Sequence, residues 1–166
     1  MGRVIKLIDA VLFLFFLLIA IVVPLFDTQI CLPQEYYPKA LVDLSSWYSN
    51  EYGDYLIVEK PNFFVGLVWL ELFVIWPLSI VNLFGLLSAK SWFNTTCLIY
   101  GASVTTSMVA ILSELIRSSK ASEKLLMVYY PFLGLSVLAV LRGLLPASCK
   151  TAVISKRPVP ARKKRA

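Results

Sequence analysis

A run of apolar residues decides the fold: residues 63–89 read FFVGLVWLELFVIWPLSIVNLFGLLSA, with Glu71 as their only charge. In a helix, about 20 mainly apolar residues cross the roughly 30 Å of hydrocarbon in a bilayer. The run is therefore long enough to span a membrane as one helix. A strand of a membrane barrel would instead be about ten residues of alternating polarity, a pattern that this run lacks.

Three further apolar runs complete the pattern, and the four together predict spans at about residues 4–27, 63–88, 91–115 and 124–146. The composition agrees, because 58% of the 166 residues are hydrophobic and only 16% are charged, which lies outside the range of soluble domains. We therefore expect an all-α fold, an integral membrane bundle of four helices, in which residues 1–148 form one transmembrane domain.

The distribution of basic residues predicts the orientation. The long first loop holds only Lys39 and Lys60, whereas seven basic residues follow Arg142: Lys150, Lys156, Arg157, Arg162, Lys163, Lys164 and Arg165. Because Lys and Arg favour the cytosolic side, residues 149–166 are expected to form a basic cytosolic tail. An even number of spans then places the amino terminus in the cytosol as well. Arg142 lies near the end of the fourth run, where its side chain is expected to extend to the headgroups.

The first loop is predicted to contain a short amphipathic helix that lies in the membrane interface. Gly53 stands where such a helix would stop, and the apolar residues that recur at helical spacing after Pro38 are Leu41, Leu44, Tyr48 and Tyr52.

Prolines interrupt three of the predicted spans, at Pro24, Pro77 and Pro131. Each removes a backbone donor and kinks its helix unless neighbouring groups compensate. Kinked helices do not pack as straight rods, so an internal cavity is one expectation. A purely structural role of the prolines is the other.

Two acidic residues within the apolar runs are candidate ligand-binding residues. Glu71 lies roughly 13 Å inside its span, and Asp27 ends the first run on the same side of the membrane. Two carboxylates at close range in a low dielectric do not both ionise easily. We therefore expect Glu71 to hold a proton and to hydrogen-bond Asp27, which is nearer to water and carries the negative charge.

The sequence gives no indication of a metal or redox site. The three cysteines, Cys31, Cys97 and Cys149, are widely spaced, and the chain contains no histidine. We expect no metal, no cofactor, no catalytic residue, no intrachain disulfide and no nucleic-acid partner.

Several short phrases, taken in order, resemble the sigma-2 receptor family of the EXPERA group. They are VPLFD at 23–27, WY at 47–48, EYGD at 51–54, WLELF at 69–73, WP at 76–77 and SKA at 119–121. The resemblance covers about residues 5–145. It implies an endoplasmic-reticulum protein of four helices, with a pocket that accepts sterols and cationic amphiphiles.

The resemblance also implies roles for individual residues. Asp27 would pair with the ammonium group of a ligand, Glu71 would hydrogen-bond Asp27, and Asp54 would be structural. Phe132 stands where the family has a tyrosine, with Tyr129 and Tyr130 just before it. These three aromatic residues are therefore further candidates for the pocket.

Two other functions remain open at this point. The same group contains a sterol isomerase, the emopamil-binding protein, which looks to use a histidine four residues before the glutamate of its second helix, where this chain has Leu67. Activity of that kind is therefore not expected. The other function is that of an adaptor or chaperone for a sterol-transport membrane protein. Gly66, Gly85 and Gly101 allow close helix approach, either in a homodimer or within a monomer.

The final residues, KKRA at 163–166, predict the location of the protein. Lys163 and Lys164 resemble the dilysine signal that returns membrane proteins to the endoplasmic reticulum, and the alternative is a polybasic patch attracted to anionic lipid. Replacing both by Ser should release a reporter to the Golgi in fluorescence microscopy, whereas replacing Lys156 and Arg157 should not. Unchanged reticular staining of the Lys163/Lys164 variant would contradict the signal.

Overall fold

The structure is a computed structural model that describes residues 2–118 and 120–145, and the predicted tail with Lys163 and Lys164 lies outside them. All regular elements of this part of the chain are helical, as expected for an all-α fold. Four helical stretches are long and apolar enough to cross a membrane: Arg3–Cys31, Asn62–Leu87, Phe93–Arg117 and Glu123–Leu144. We refer to them as the first to fourth spans. The prediction of a multi-pass bundle of four helices is confirmed.

The first two spans are each divided by a π-helical turn. The first consists of α1 (Gly2–Val22), a π turn (Val23–Asp27) and α2 (Thr28–Cys31). The second consists of α5 (Asn62–Leu70), a π turn (Glu71–Ile75) and α6 (Trp76–Leu87). The third and fourth spans are the uninterrupted helices α7 (Phe93–Arg117) and α8 (Glu123–Leu144).

Prolines accompany both π turns. Pro24 lies within the first turn, and Pro77 follows the second by two residues. A proline lacks an N–H and its ring crowds the preceding turn of an α-helix, and a local change to the wider π geometry is one way to accommodate it. The helix α8, in contrast, continues through Pro131.

The loop between the first two spans contains the predicted helix, α3 (Lys39–Tyr52). It ends because Gly53 adopts the left-handed conformation, with a φ of 66° that costs glycine little. The short helix α4 (Tyr55–Glu59) follows, and Lys60 after it donates to the carbonyls of Gln29 and Ile30 at 3.4 and 3.0 Å. A 3₁₀ turn, Gln34–Tyr36, precedes α3. The two hydrogen bonds of Lys60 therefore attach the loop to the end of the first span.

The helices α7 and α8 pack closely because glycines remove side chains from their contact. A Cβ atom on Gly101 would lie 2.6 Å from the backbone nitrogen of Val140, and one on Gly143 would lie equally close to that of Leu98. Thr105 also donates to Ser136 across this contact, at 2.9 Å. A Cβ atom on Gly66, by comparison, would have no neighbour within 4 Å among the described residues. Gly66 therefore makes no close helix approach within this part of the chain.

Arg142, in the last turn of the fourth span, has partners that the sequence did not predict. Its guanidinium donates to Asp9 at 2.6 Å and to Asn94 at 3.0 Å, and the Arg142 side chain is only 13% exposed. A charge within the membrane is less costly when it is paired, and Asp9 in the first span provides the partner. Arg142 is therefore paired within the bundle near the end of the fourth span, and its extension to the headgroups stays a prediction.

The close contact of α7 and α8 gives a test. Gly101→Ala should lower the stability of the protein by about 1–3 kcal/mol, because the new methyl group meets backbone atoms that cannot move aside. Gly66→Ala is the matched control and should be neutral or slightly stabilising, since alanine favours helices by up to about 1 kcal/mol. Thermal unfolding in one detergent compares them. Equal effects of the two substitutions would contradict this packing.

Candidate ligand-binding site

A cavity of about 330 Å³, which we call the outer chamber, lies between the spans and the loop. Its wall is mostly aromatic and aliphatic, and among the described residues Asp27 is the only acid in it. Each span contributes, and α3 and α4 close one side. The lining residues are Ile19, Val22, Phe26, Asp27, Ile30, Ser45, Tyr48, Ile57, Phe64, Met108, Val128, Tyr129 and Phe132.

A smaller cavity of about 90 Å³, the inner chamber, adjoins the outer one and reaches Glu71. The two chambers share four lining residues, namely Asp27, Phe64, Met108 and Tyr129. Ser107 also lines the inner chamber, and its buried hydroxyl has no hydrogen-bond partner among the described residues. A ligand in the outer chamber would therefore meet Asp27 first, with Glu71 behind it.

The structure brings Asp27 and Glu71 together through the two π turns. Asp27 is the last residue of the first turn and Glu71 is the first residue of the second, and the turns contact each other. The hydrogen bond expected between the two carboxyl groups requires a proton on one of them, and it stays a prediction. Both side chains line the inner chamber.

The chemistry of this arrangement follows from the low dielectric of the bundle. Two carboxylates near one another repel more strongly here than in water, and a positive charge next to them removes that repulsion. Because Asp27 also lines the larger chamber, its carboxylate is the one that a cation in that chamber would reach.

Asp54 connects the loop to the fourth span beside the outer chamber. Its carboxylate is fully buried and accepts hydrogen bonds from the hydroxyl of Tyr129 at 2.9 Å and from the backbone N–H of Leu56 at 3.2 Å. Burial raises the pKa of Asp54 above its usual value, and these hydrogen bonds offset only part of that rise. The second bond also caps the start of α4.

The three aromatic residues proposed from α8 have different positions. Tyr129 and Phe132 line the outer chamber, whereas Tyr130 is 49% exposed and lines neither chamber. The reason is helical geometry, since consecutive residues are turned by about 100° around the helix axis.

Sequence reasoning did not assign Phe26, Tyr48 or Phe64 to the pocket. The sequence predicted Tyr48 only as part of the apolar face of the loop helix. Its position in the wall of the outer chamber depends on how the loop folds back over the spans. Burial raises the pKa of its hydroxyl well above the usual value, with a further contribution from Asp54. Its phenol is therefore neutral at physiological pH.

The described residues contain no cluster of metal-binding side chains. Nowhere in 2–118 or 120–145 do three or more His, Cys, Asp or Glu side chains form a group that could hold a metal ion. Cys31 and Cys97 are free thiols, and Cys149 lies outside the described residues.

The contribution of the hydrogen bond between Tyr129 and Asp54 to stability can be tested by comparing two adjacent tyrosines, Tyr129 and Tyr130. Tyr129→Phe should lower the stability by about 1.5–3 kcal/mol, because it removes a hydrogen bond to a buried carboxylate. Tyr130→Phe should change it little, since that side chain is half exposed. Denaturation in detergent, followed by circular dichroism, measures both. A Tyr129→Phe variant as stable as Tyr130→Phe would show that the bond contributes nothing.

Comparisons with known proteins identify the family of this chain. Residues 40–143 match the family described as EXPERA (EXPanded EBP superfamily). The chain is 26% identical over 149 residues to a Xenopus tropicalis protein named Sigma intracellular receptor 2, an alignment that covers 82% of this chain and 87% of the relative. It is 32% identical over 99 residues to the proteins of that name from Homo sapiens and Macaca fascicularis, which covers 58% of this chain and 56% of each relative. The chain therefore belongs to the EXPERA family of membrane proteins.

Proposed function

We propose that this protein binds sterols and cationic amphiphiles in the membrane of the endoplasmic reticulum, without catalysing a reaction, and acts in sterol homeostasis or trafficking. The observation that carries the proposal is the outer chamber, an apolar and aromatic cavity to which the described residues contribute one carboxyl group, that of Asp27. Family membership and the receptor names of the relatives support it.

The size and lining of the outer chamber suit a rigid apolar ligand. Its volume of about 330 Å³ is within the range of about 300–1,000 Å³ that is usual for ligand sites. A sterol would bury its rings against side chains such as Val22, Phe64 and Met108 and would need few polar contacts. Such binding depends on burial of apolar surface rather than on charge.

The same chamber offers a cation two kinds of stabilisation. An ammonium group beside Asp27 would favour its carboxylate form and pair with it, and the rings of Phe26, Tyr48 and Tyr129 line the same space. Aromatic faces attract ammonium groups, and the effect is larger in desolvated sites. An amphiphile with an amine and an apolar body would therefore use both parts of the wall.

The chemistry required of an isomerase argues for binding alone. Moving a ring double bond needs an acid and a base on opposite sides of the substrate. The full sequence has no histidine, and the residue one turn before Glu71 is Leu67, whose side chain lines the inner chamber. Incubation of the purified protein with a sterol substrate of the isomerase tests this directly, and turnover would contradict a binding role.

Substitution of Asp27 separates the two classes of ligand. Asp27→Asn should weaken binding of a cationic amphiphile by on the order of 3 kcal/mol, because the buried ammonium loses its counter-charge, and should change binding of a neutral sterol much less. Asp43→Asn is the control, since Asp43 is an exposed acid on α3. Radioligand displacement on folded variants measures both ligands. Equal losses for amine and sterol would mean that Asp27 only maintains the fold.

Substitution of Glu71 tests its role as the neutral neighbour of Asp27. Glu71→Gln retains hydrogen-bonding groups in nearly the same shape and should reduce amine binding far less than Glu71→Leu, which places an apolar group beside the carboxylate. Competition with a single amine ligand compares the two variants. If Gln were as damaging as Leu, Glu71 would have to act through its own charge.

A further inference from the structure

A third cavity lies at the end of the bundle that carries the amino terminus, far along the first span from the two chambers. We call it the amino-terminal groove. It is an open cavity of about 520 Å³ between the first and second spans. Ala10, Phe13 and Leu14 form one wall and Leu86 and Leu87 the other, while Lys6 and Asp9 lie at its polar end. The groove is thus apolar along its length and charged at one end.

The charge at the polar end is positive because Asp9 is already neutralised. Both oxygens of the Asp9 carboxylate accept hydrogen bonds from Arg142, at 2.6 and 3.4 Å. Lys6, one turn away from Asp9, forms no ion pair among the described residues. Arg3 lies a further turn towards the amino terminus and is exposed, as is Lys6. The positive charge of this segment is therefore available to an external partner.

We propose that the amino-terminal groove binds an anionic phospholipid. One acyl chain would lie against Phe13, Leu14 and the two leucines of the second span, and the anionic headgroup would lie beside Lys6. Charge complementarity identifies this partner, since basic pockets between membrane helices are recognised sites for anionic headgroups. A sterol offers no charge to Lys6, and a cationic amphiphile would be repelled by it. Phosphatidylcholine has no net charge, because its ammonium group offsets its phosphate, so Lys6 favours a lipid with a net negative headgroup over it.

This site is independent of the ligand-binding function proposed above. It uses different residues and a different chemistry, and it lies where the ion pair of Asp9 with Arg142 joins the first span to the fourth. A lipid bound there would stabilise the arrangement of the first two spans without occupying either chamber.

Native mass spectrometry of the full chain in detergent, with added phosphatidylserine or phosphatidylcholine of identical acyl chains, tests the proposal. We expect the protein to retain phosphatidylserine preferentially. Lys6→Gln should weaken retention of phosphatidylserine about fivefold, from the contribution of about 1 kcal/mol per basic residue, and should leave phosphatidylcholine unchanged. Lys39→Gln, which removes an exposed charge in the loop, is the control. Ala10→Trp should fill the groove and reduce retention of both lipids.

Three results would overturn the proposal. The first is equal retention of the two lipids by the unmodified chain, which would make the groove an ordinary lipid-covered surface. The second is unchanged preference in Lys6→Gln, whose side chain is exposed and whose folding can be checked by its helical circular dichroism. The third is competition by soluble glycerophosphoserine as effective as that by the whole lipid, which would indicate a phosphate site that does not use the groove.

Discussion

Two carboxyl groups within the membrane-spanning helices, those of Asp27 and Glu71, constrain the rest of the site. Each lies on a π turn, the two turns contact each other, and a proline lies in or next to each turn. A π turn inserts an extra residue into a helix and therefore changes which side chains face the interior, and such turns are frequent at functional sites. Here the changed register brings two acids to one cavity, where the membrane provides no water to offset their charge.

The charged residues at the two ends of the bundle differ in whether they have a partner of opposite charge. At the amino-terminal end, Asp9 is paired with Arg142, which also bonds Asn94, so three spans are joined by one ionic group. At the other end, Asp27 and Glu71 have no basic partner among the described residues. A paired charge holds helices in place, whereas an acid without a counter-ion in an apolar cavity is available to a ligand. This difference is the physical reason why we propose a structural role for the first group and a binding role for the second.

The features that follow from local sequence were predictable. Hydrophobic runs indicated four spans, and Gly53 marked the end of the loop helix, because both signals come from neighbouring residues. The proximity of Asp27 and Glu71 could be inferred from their depths in adjacent spans. The partner of Arg142 could not, because Asp9 is 133 residues away and its pairing depends on how the first and fourth spans pack.

Other details of the site also depend on the assembled bundle. The sequence placed Tyr129 and Tyr130 together as pocket residues, and only the orientation of α8 shows that the first lines the chambers and the second is exposed. The π turns were likewise not predicted, since the prolines indicated an irregularity but not its geometry.

The lipid that remains bound to the purified protein tests the central claim most directly, namely that the outer chamber holds a sterol. We predict that mass spectrometry of the chain, extracted from membranes in a mild detergent, will find one sterol per chain. Val128→Trp, which places a large ring in the outer chamber, should remove it without unfolding the protein. Recovery of bulk phospholipids alone, or of the same sterol in equal amount with Val128→Trp, would contradict the account.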